Sequence, residues 1–309
     1  MIHLQEDEVV DFLDGNQRKV IQEMEDVFID YYHGRAKMIP KTYLTTDKGD
    51  FRAMPAQWED ISGVKWISVY PKNHTLDLPT IHGTLLLNDS LTGQPIMSMD
   101  CAQLTAYRTA AVSALAAKHL STDRAVQKLA FIGCGYQAKL HIDMYAAQFP
   151  DIKRIKLYDV NAERSNELMN WINQKYTFES VSTYDNVTST CHGADVITTL
   201  TPSTKPYLGQ SNITHPFHIN AIGADAEGKR ELERSVWMKC DLIVDDYEQA
   251  SHSGEAQHVK HLPYLTLGDI ITGKSKPPSN RITVFDSTGL AIEDIAIGKF
   301  IYEQYCQRN

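Results

Sequence analysis

The feature that most constrains the fold is an alternation of short apolar runs with helical stretches beyond residue 121. The runs have the length and the β-branched content of buried strands, and they are KLAFIGCG, RIKLYD, DVITTLT, HINAIG, DLIVDD and ITVFD. Helical stretches such as YQAKLHIDMYAAQF and NAERSNELMNWINQKY separate some of them. Strands that alternate with helices form βαβ units. Residues 121–290 are therefore predicted to form an α/β domain with a doubly wound parallel sheet.

The first part of the chain has a different pattern. A helix is predicted from Asn16 to Gly34 because apolar residues recur there at helical spacing, namely Val20, Met24, Val27, Phe28 and Tyr31. Farther along, the segments FRAM, GVKWISVY, GTLLLND and QPIMSM lie between turn clusters, which is typical of antiparallel strands and hairpins. An alanine-rich helix then follows from Cys101 to Leu120, with Asp100 as its N-cap.

The last segment, GLAIEDIAIGKFIYEQY, is predicted to be an amphipathic helix that packs back on the first domain. The predicted organisation is therefore discontinuous. Residues 1–120 plus 291–309 form an α+β domain with antiparallel strands, and residues 121–290 form the parallel-sheet domain.

Composition and charge exclude several classes of protein. The chain has 30 Lys and Arg against 39 Asp and Glu, a formal net charge of −9, so it lacks the basic surface of a nucleic-acid binder. Its five cysteines are scattered and never spaced as C-x-x-C, which argues against a disulfide framework and a structural zinc site. No apolar run approaches the roughly 18 residues of a membrane span, and no signal peptide is recognisable. We expect a soluble, cytoplasmic protein without a membrane partner.

A glycine motif follows the first strand of the parallel-sheet domain. Strand KLAFI runs into GCGYQA at residues 133–138, the pattern G-x-G-x-x-A. Gly133 permits a tight turn, Gly135 lets the backbone approach a diphosphate, and Ala138 lets helix and strand pack closely. The next strand ends in Asp159, where a ribose-binding acid favours NAD over NADP, although the nearby Arg164 keeps NADP as an alternative. An empty domain of the same Rossmann architecture is the other interpretation.

Three cations lie in apolar surroundings. Arg52 and Lys65 fall in predicted strands, and Arg108 falls in the alanine-rich helix, where a guanidinium is costly to bury without an anion. Taken singly, each is best explained by a local acid partner or by reaching solvent. Taken together beside a nicotinamide site, they suit a substrate α-carboxylate.

Asp225 is the candidate acid or base. It follows strand HINAIG at the carboxyl edge of the sheet, where a carboxylate could exchange a proton with a substrate nitrogen. An equally good interpretation from spacing alone is an N-cap for a helix in EGKRELERS. His258 and His261 lack accompanying carboxylates or cysteines, so no metal site is predicted. The chain also has no G-x-S-x-G nucleophile elbow.

These residues lie in sequence blocks that resemble the ornithine cyclodeaminase/μ-crystallin family over nearly the whole length. The blocks are MIPKTYL, RAMPA, GVKWISVYP, TIHGTLLLND, TAYRTAAVSALAAKHL, FIGCGYQA, AIGADAEGKREL and VFDSTGLAIED. The resemblance implies a Rossmann domain that binds NAD or NADP. It also implies a substrate-binding and dimerisation domain, and hence a homodimer.

The resemblance also assigns roles to single residues. Lys65 and Arg108 match positions that hold the substrate carboxylate, and Asp225 matches the acid/base aspartate; Lys65 is also assigned to catalysis. The remaining substrate-binding assignments are Arg52, Lys41 and Thr288. The cofactor-binding assignments are Thr80, Arg108, Thr109, Gly133, Gly135, Tyr136, Gln137, Ala138, Asp159, Thr199, Thr201, Ala221, Ile222, Gly223, Lys229 and Ser287.

Two departures from the family pattern bear on the substrate. Lys41 stands where members often have arginine, and Arg52 stands where ornithine cyclodeaminases resemble one another in having a glutamate for the side-chain amine. Arg52 would repel that ammonium and instead resembles the imine-reductase and alanine-dehydrogenase members. The predicted function is NAD(P)H-dependent reduction of a small cyclic ketimine such as Δ1-pyrroline-2-carboxylate to L-proline. The alternatives are ornithine cyclodeamination, alanine or opine-type dehydrogenation, and a non-catalytic ligand binder.

Overall fold

The computed structural model describes residues 1–121, 125–213, 218–276 and 281–308. The chain divides into two compact units. Unit 1 comprises Met1–Val112 and Gly289–Asn309, and unit 2 comprises Ser113–Thr288. The division therefore falls inside the alanine-rich helix, whereas a boundary after residue 120 was predicted. Ser113 already belongs to unit 2 because its carbonyl accepts a hydrogen bond from the Asn220 side chain.

The helices follow the amphipathic patterns of the sequence. Their bounds are α1 (Glu6–Leu13), α2 (Gln17–Tyr32), α3 (Ala102–Leu120), α4 (Tyr136–Gln148), α5 (Ala162–Lys175), α6 (Val187–Cys191), α7 (Tyr247–Ala250), α8 (Leu267–Ile271) and α9 (Ala291–Arg308). The predicted helix of residues 16–34 is confirmed as α2, with Asn16 preceding it and Gly34 after it in the left-handed region at φ 74°. Helix α3 begins at Ala102, whose N–H donates to the Asp100 carboxylate over 2.9 Å. None of the helices in the described ranges combines the length and apolar character needed to span a bilayer.

Within the described residues, unit 1 contains a seven-stranded mixed sheet. Its strands are β1 (Ile2–Leu4), β2 (Ala36–Met38), β3 (Thr42–Thr45), β4 (Asp50–Trp58), β5 (Ile61–Val69), β6 (Ile81–Asp89) and β7 (Pro95–Asp100). The order is β1-β7-β6-β5-β4-β2, with β3 paired to β4. Strand β1 runs parallel to β7, and the other pairs are antiparallel, which confirms the predicted α+β arrangement.

The inner face of this sheet carries two of the predicted cations. Arg52 lies opposite Ile67 and Met54 lies opposite Lys65 in the β4–β5 register, and all four side chains are buried. Directly opposed residues of an antiparallel pair share a face, and residues two apart on one strand share it too. Helix α9 packs against β4, β5 and β6 and contacts α2. The last helix therefore covers the sheet of unit 1.

Unit 2 contains an eight-stranded sheet in its described part, and every strand pair in it is parallel. Its strands are β8 (Lys128–Ile132), β9 (Arg154–Tyr158), β10 (Ser180–Thr183), β11 (Val196–Thr199), β12 (His218–Ala221), β13 (Cys240–Val244), β14 (Tyr264–Thr266) and β15 (Ile282–Asp286). The order β10-β9-β8-β11-β12-β15-β13-β14 confirms the doubly wound sheet. The winding reverses between β8 and β11, and ligands bind at such switch points beyond the carboxyl ends of the strands.

A fully buried polar network joins the centre of this sheet to α3 and α4. The Asn220 amide donates to the Tyr145 hydroxyl over 2.7 Å and to the Ser113 carbonyl over 3.0 Å. His218 contacts the Asn220 side-chain oxygen, and His141 contacts the Ser113 hydroxyl, each over 3.0 Å. Buried polar groups that are hydrogen-bonded in this way specify one packing arrangement of the core.

The two buried histidines predict that acid destabilises unit 2. Burial lowers the pKa of His141 and of His218 from the ordinary 6.5 to about 4. Between these pH values the unfolded chain binds protons that the folded chain does not, so stability is complete above pH 6.5 and falls as the pH drops toward 4. We expect a loss of about 2–3 kcal/mol per histidine. The midpoint of thermal unfolding, followed by circular dichroism from pH 7.5 to 4.5, measures it.

His218→Gln should make this pH dependence shallower because it removes one titrating group. His252→Gln, at an exposed histidine, is the matched control and should leave the slope unchanged. A wild-type midpoint that stays constant between pH 7 and 5 would contradict the interpretation.

Candidate active site

The glycine turn lies at the switch point of unit 2. Gly133 directly follows β8 and has φ 96°, in the left-handed region. A Cβ there would lie 2.8 Å from the carbonyl oxygen of Leu200, which follows β11. Since both the conformation and the close approach exclude a side chain, glycine is required for the two strands to end side by side.

Gly135 is a glycine for a different reason. It is the N-cap residue of α4 and has no side chain that could cap the helix. A Cβ built on it would meet no atom within 4 Å. The surrounding protein therefore does not exclude a side chain at this position. The open space lies at a helix N-terminus, where N–H groups lack intrahelical acceptors and the dipole favours an anion. Ala138 packs fully buried one turn later. This arrangement fits a diphosphate.

Asp159 lies beside this turn, directly after β9. Its carboxylate accepts hydrogen bonds from the backbone N–H groups of Cys134, over 2.8 Å, and Asn161, over 2.9 Å. It also borders a cavity of about 560 Å³ whose lining includes Gly133, Gly135, Arg164, Thr201 and Tyr207. A fixed carboxylate in such a cavity can accept hydrogen bonds from ribose hydroxyls and disfavours a phosphate there. The cavity therefore suits the adenosine portion of NAD.

A buried acid outside the predicted set organises the other side of the cavity. One carboxylate oxygen of Glu231 accepts hydrogen bonds from the Thr201 N–H and hydroxyl and from the Tyr207 hydroxyl, over 2.6–2.8 Å. The other oxygen accepts from the Thr199 hydroxyl over 2.6 Å and the Gly223 N–H over 2.9 Å. The hydroxyls of Thr199 and Thr201, which were assigned to the cofactor, thus face Glu231. These hydrogen bonds to Glu231 hold the loops that follow β11 and β12.

Two further carboxylates support Glu231. Asp286 accepts the N–H groups of Glu255 and Ala256 over 2.8–2.9 Å, and a Glu255 oxygen accepts the Glu231 N–H. Burial raises the pKa of Glu255 to about 7 and the pKa of Asp286 well above its usual value. The three acids therefore fix the loops at the carboxyl ends of β11, β12 and β15 through backbone hydrogen bonds.

In unit 1 the structure brings Lys65 and Arg108 to one carboxylate. The Lys65 ammonium donates to Asp294 Oδ1 over 2.7 Å, and Arg108 Nε donates to the same oxygen over 3.1 Å. Arg108 Nη1 donates to Glu293 over 2.8 Å. Lys65 is 1% exposed and both acids are fully buried. Burial lowers the pKa of Lys65, and the neighbouring Asp294 opposes that effect.

Arg108 also needs space beside its guanidinium. A Cβ on Gly289 would lie 2.5 Å from Arg108 Nη1 and 2.9 Å from Nη2, and Gly289 has φ 76°. The guanidinium therefore lies against the bare backbone that precedes α9. A side chain at this position would displace Arg108 from the acid pair.

Arg52 is buried on the same face of the sheet as Lys65. Its Nε donates to Asp50 over 2.6 Å, and its guanidinium lies over the Tyr43 ring at 5.4 Å from the ring centre. All three predicted cations thus have acid partners within unit 1, as expected for each of them singly. The shared face of Arg52 and Lys65 and the shared carboxylate of Lys65 and Arg108 are what favour a common role.

Asp225 lies in irregular backbone between β12 and the 3₁₀ turn of Arg234–Met238. The segment after it is not helical, so the alternative interpretation as a helix N-cap is wrong. Gly228 has φ 77°, in the left-handed region, which interrupts a right-handed helix. Lys229, four residues after Asp225, forms an ion pair with it. The Lys229 carbonyl in turn contacts His258 over 3.0 Å.

The other assigned residues have local contacts. In unit 1, Lys41 is half-buried before β3, the Thr80 carbonyl accepts the Tyr70 N–H, and the Thr109 hydroxyl donates to the Thr105 carbonyl. In unit 2, the Thr288 hydroxyl donates to Asp245 and accepts from Gln249. The Ser287 N–H donates to the Ala221 carbonyl, the Ile222 N–H donates to the Thr199 carbonyl, and Tyr136 and Gln137 begin α4.

The acids that hold these groups were not predicted. Glu293 and Asp294 lie side by side in the apolar helix AIEDIAIGKF, where two adjacent charges need buried partners. That signal was present in the sequence and matches the two buried cations. Glu231 and Glu255, by contrast, lie in polar segments that look solvent-exposed, and no sequence signal distinguishes them.

Unit 2 is a dinucleotide-binding domain of the Rossmann class, because Asp159 and an uncapped helix N-terminus meet at its switch point. The chain as a whole matches the sequence model of the ornithine cyclodeaminase/mu-crystallin family over residues 4–309, and it belongs to that family. The predicted resemblance is therefore confirmed.

Individual relatives differ in activity. An alanine dehydrogenase of Archaeoglobus fulgidus is 37% identical over 295 residues, which cover 93% of this chain and 90% of the relative. An archaeal alanine dehydrogenase dimer with bound NAD superposes with a TM-score of 0.94 at 35% identity, covering 100% of this chain and 97% of its own. The Δ1-pyrroline-2-carboxylate reductase of Thermococcus litoralis, in complex with NADH and L-proline, has a TM-score of 0.92 at 27% identity, covering 100% and 98%.

Glu231→Gln should weaken NADH binding. Donors surround both carboxylate oxygens of Glu231, so the amide nitrogen of glutamine must face a donor and the loops after β11 and β12 must shift. A mismatch of this kind costs about 1–3 kcal/mol, and we expect a rise of about 5- to 150-fold in the Kd for NADH. Titration of NADH fluorescence measures the Kd, and circular dichroism checks the fold.

Glu227→Gln, at an exposed acid four residues away, is the matched control. An unchanged Kd in folded Glu231→Gln protein would refute the assignment.

Proposed function

We propose that the protein is an NADH-dependent reductase of small α-imino carboxylates, with the cyclic ketimine Δ1-pyrroline-2-carboxylate as substrate and L-proline as product. The observation that carries the proposal is the pair of buried cations, Lys65 and Arg108, in a chain that also contains the dinucleotide cradle at Gly133–Ala138. The first feature suits an anionic substrate, and the second suits a nicotinamide cofactor. Membership of a family that includes imine reductases supports the combination.

Residues of unit 2 hold the cofactor in this proposal. The N-terminus of α4 binds the diphosphate, Asp159 binds the adenosine ribose, and Thr201 and Tyr207 border the cavity beside it. When bound, NADH supplies the hydride that reduces the C=N carbon. The Asp159 carboxylate favours NAD(H), and Arg164 at the same cavity leaves NADP(H) as the second choice.

Residues of unit 1 hold the substrate carboxylate. An ammonium has three N–H donors, and Lys65 directs two of them at Asp294 and Thr105, over 2.7 and 3.3 Å. The third can donate to a carboxylate. Arg108 is fixed through Nε and Nη1, and a guanidinium carries five N–H donors. Arg52, on the same face as Lys65, adds a further positive charge. This charge set binds a small acid and orients it, which lowers the entropic cost of reaction.

Asp225 donates the proton that the substrate nitrogen gains. Reduction of C=N to CH–NH adds one hydride to carbon and one proton to nitrogen, so an acid must supply the proton in the direction of amine formation. Asp225 is half-buried beside Lys229 at the carboxyl edge of the parallel sheet. We assign it as that acid, which in its protonated form gives its proton to the substrate nitrogen and then ion-pairs with Lys229 as a carboxylate.

L-Alanine dehydrogenation is the second candidate. It is favoured by the 37% identity to an alanine dehydrogenase, and it uses the same bond change on an acyclic imino acid. Ornithine cyclodeamination ranks lower because the buried charge of Arg52 disfavours a second ammonium on the substrate. The remaining alternative is a protein that binds the ligand without turnover.

We also propose a homodimer. Large apolar side chains are exposed on unit 1, including Tyr43, Leu44, Trp66 and Ile81, and Trp66 stacks on Phe51 with ring centres 5.5 Å apart. Such surfaces are typical of protein interfaces. The archaeal relative of known structure is a dimer. A sedimentation-equilibrium mass of about twice the chain mass of 34.9 kDa is expected, and a monomer mass would contradict the proposal.

A nicotinamide absorbance assay tests the function. Purified protein with NADH and Δ1-pyrroline-2-carboxylate should consume NADH steadily and form L-proline. Pyruvate with ammonium and NADH tests the alanine dehydrogenase alternative, and ornithine with catalytic NAD tests cyclodeamination. Proline and ammonia from ornithine without net NADH consumption would show that the charge of Arg52 does not exclude ornithine as a substrate.

Asp225→Asn separates an enzyme from a binder. Loss of a general acid lowers kcat by about 10²- to 10⁴-fold, while affinity for NADH stays the same. Asp246→Asn is the control for a general effect of losing one acid, because it removes a carboxylate at the N-cap of α7 and keeps an acceptor oxygen there. Absence of turnover in wild type and variant alike would support the binder.

A further inference from the structure

Asp294 occupies an unusual position between two cations. Its Oδ1 accepts hydrogen bonds from Lys65 and Arg108 together, whereas Oδ2, also buried, has no hydrogen-bond partner among the described residues. Glu293 accepts a hydrogen bond from Arg108 through a different nitrogen, Nη1, and another from the Leu290 N–H. The neighbouring acids therefore have unequal roles: one serves both cations, and the other serves Arg108.

Lys65 depends on this acid for its charge. Burial disfavours the ammonium, and the adjacent Arg108 guanidinium disfavours it further by like-charge repulsion. The facing groups from the packed elements are Arg108 and Thr105 on α3, Cys101 before it, and Asp294 on α9; Arg52 and Asp50 share its sheet face on β4. Burial raises the pKa of the Cys101 thiol to about 12, so it is neutral near pH 8. Asp294 is thus the anion in hydrogen-bond contact with the Lys65 ammonium.

Arg108 does not depend on Asp294 in the same way. A guanidinium stays protonated throughout the working pH range. Glu293 continues to hold it when Asp294 is neutralised, and the bare backbone at Gly289 continues to leave it space. Neutralising Asp294 therefore acts mainly on Lys65.

We propose that Asp294 is a positioning residue for the reaction, which keeps Lys65 protonated and directed so that Lys65 can bind the substrate carboxylate. This inference rests on the proposed function. Asp294 acts through Lys65 and is not assigned a contact with substrate. Its loss should therefore weaken substrate binding in alkaline solution more than it slows the chemical step.

The pH profile of kcat/KM with Δ1-pyrroline-2-carboxylate tests the proposal. Loss of the Lys65 proton in the free enzyme contributes to the alkaline limb, together with loss of the proton on Asp225, the proposed acid. Asp294→Asn removes the anion and leaves Arg108, so the limb should move to lower pH by about one unit or more. On the alkaline side of the shifted limb, KM should rise at least about tenfold while kcat changes less than about threefold. Glu293→Gln is the matched control, since it removes an equal charge from the next residue and should leave the limb in place.

Lys65→Arg gives a second check: an arginine does not lose its proton in this range, so the alkaline limb should no longer move when Asp294→Asn is added. Three results would overturn the proposal: an unmoved limb in Asp294→Asn, an equal shift in Glu293→Gln, or a fall in kcat at every pH without a change in KM. The last is the expected result for a proton donor.

A double-mutant cycle on thermal stability tests the coupling between Asp294 and Lys65 without any substrate. Its result is therefore informative even if the protein does not reduce the imine. Asp294→Asn should lower the thermal midpoint because Lys65 is left as a buried, repelled charge. Adding Lys65→Met to that variant should restore part of the loss, whereas adding it to Glu293→Gln should not. Strictly additive effects in both cycles would contradict the coupling.

Discussion

The charge cluster inside unit 1 determines how the last helix packs and where the buried cations lie. Lys65 on β5, Arg108 on α3 and the acid pair Glu293 and Asp294 on α9 join elements that are far apart in the chain; Lys65 and Asp294 are separated by 229 positions. Buried charges are tolerated when they are paired and hydrogen-bonded, and breaking such a pair leaves a costly orphan. The last helix must therefore return to the sheet in one register, and that register delivers two oriented cations.

Unit 2 uses carboxylates for a related purpose. Glu231, Glu255 and Asp286 each accept backbone N–H groups at the carboxyl ends of strands, and their burial makes alternative loop conformations costly. In unit 1 the acids orient cations that suit an anionic substrate. In unit 2 they shape loops that suit a dinucleotide. Both cases explain why an acidic chain can bind anionic ligands: the acids face inward on cations and amides.

The sequence was sufficient to predict features that are determined locally. Gly133 follows a strand and needs a left-handed conformation, Asp159 ends the next strand, and the apolar periodicity of α2 and of the parallel strands is visible directly. The partners of Lys65 and Arg108 could not be assigned because they depend on long-range packing of α9. Spacing alone left a helix after Asp225 as an alternative interpretation, and the structure excludes it, since Gly228 has φ 77° in the left-handed region.

In the proposed reaction a carboxylate-bearing imine is reduced directly at its carbon by the nicotinamide hydride. The measurement that tests it most directly is the isotopic composition of L-proline made from unlabelled Δ1-pyrroline-2-carboxylate with NADH dideuterated at C4, determined by mass spectrometry. Direct hydride transfer to the imine carbon predicts one deuterium per proline, located at C2. Proline without deuterium, or no proline at all with folded protein and bound NADH, would contradict it.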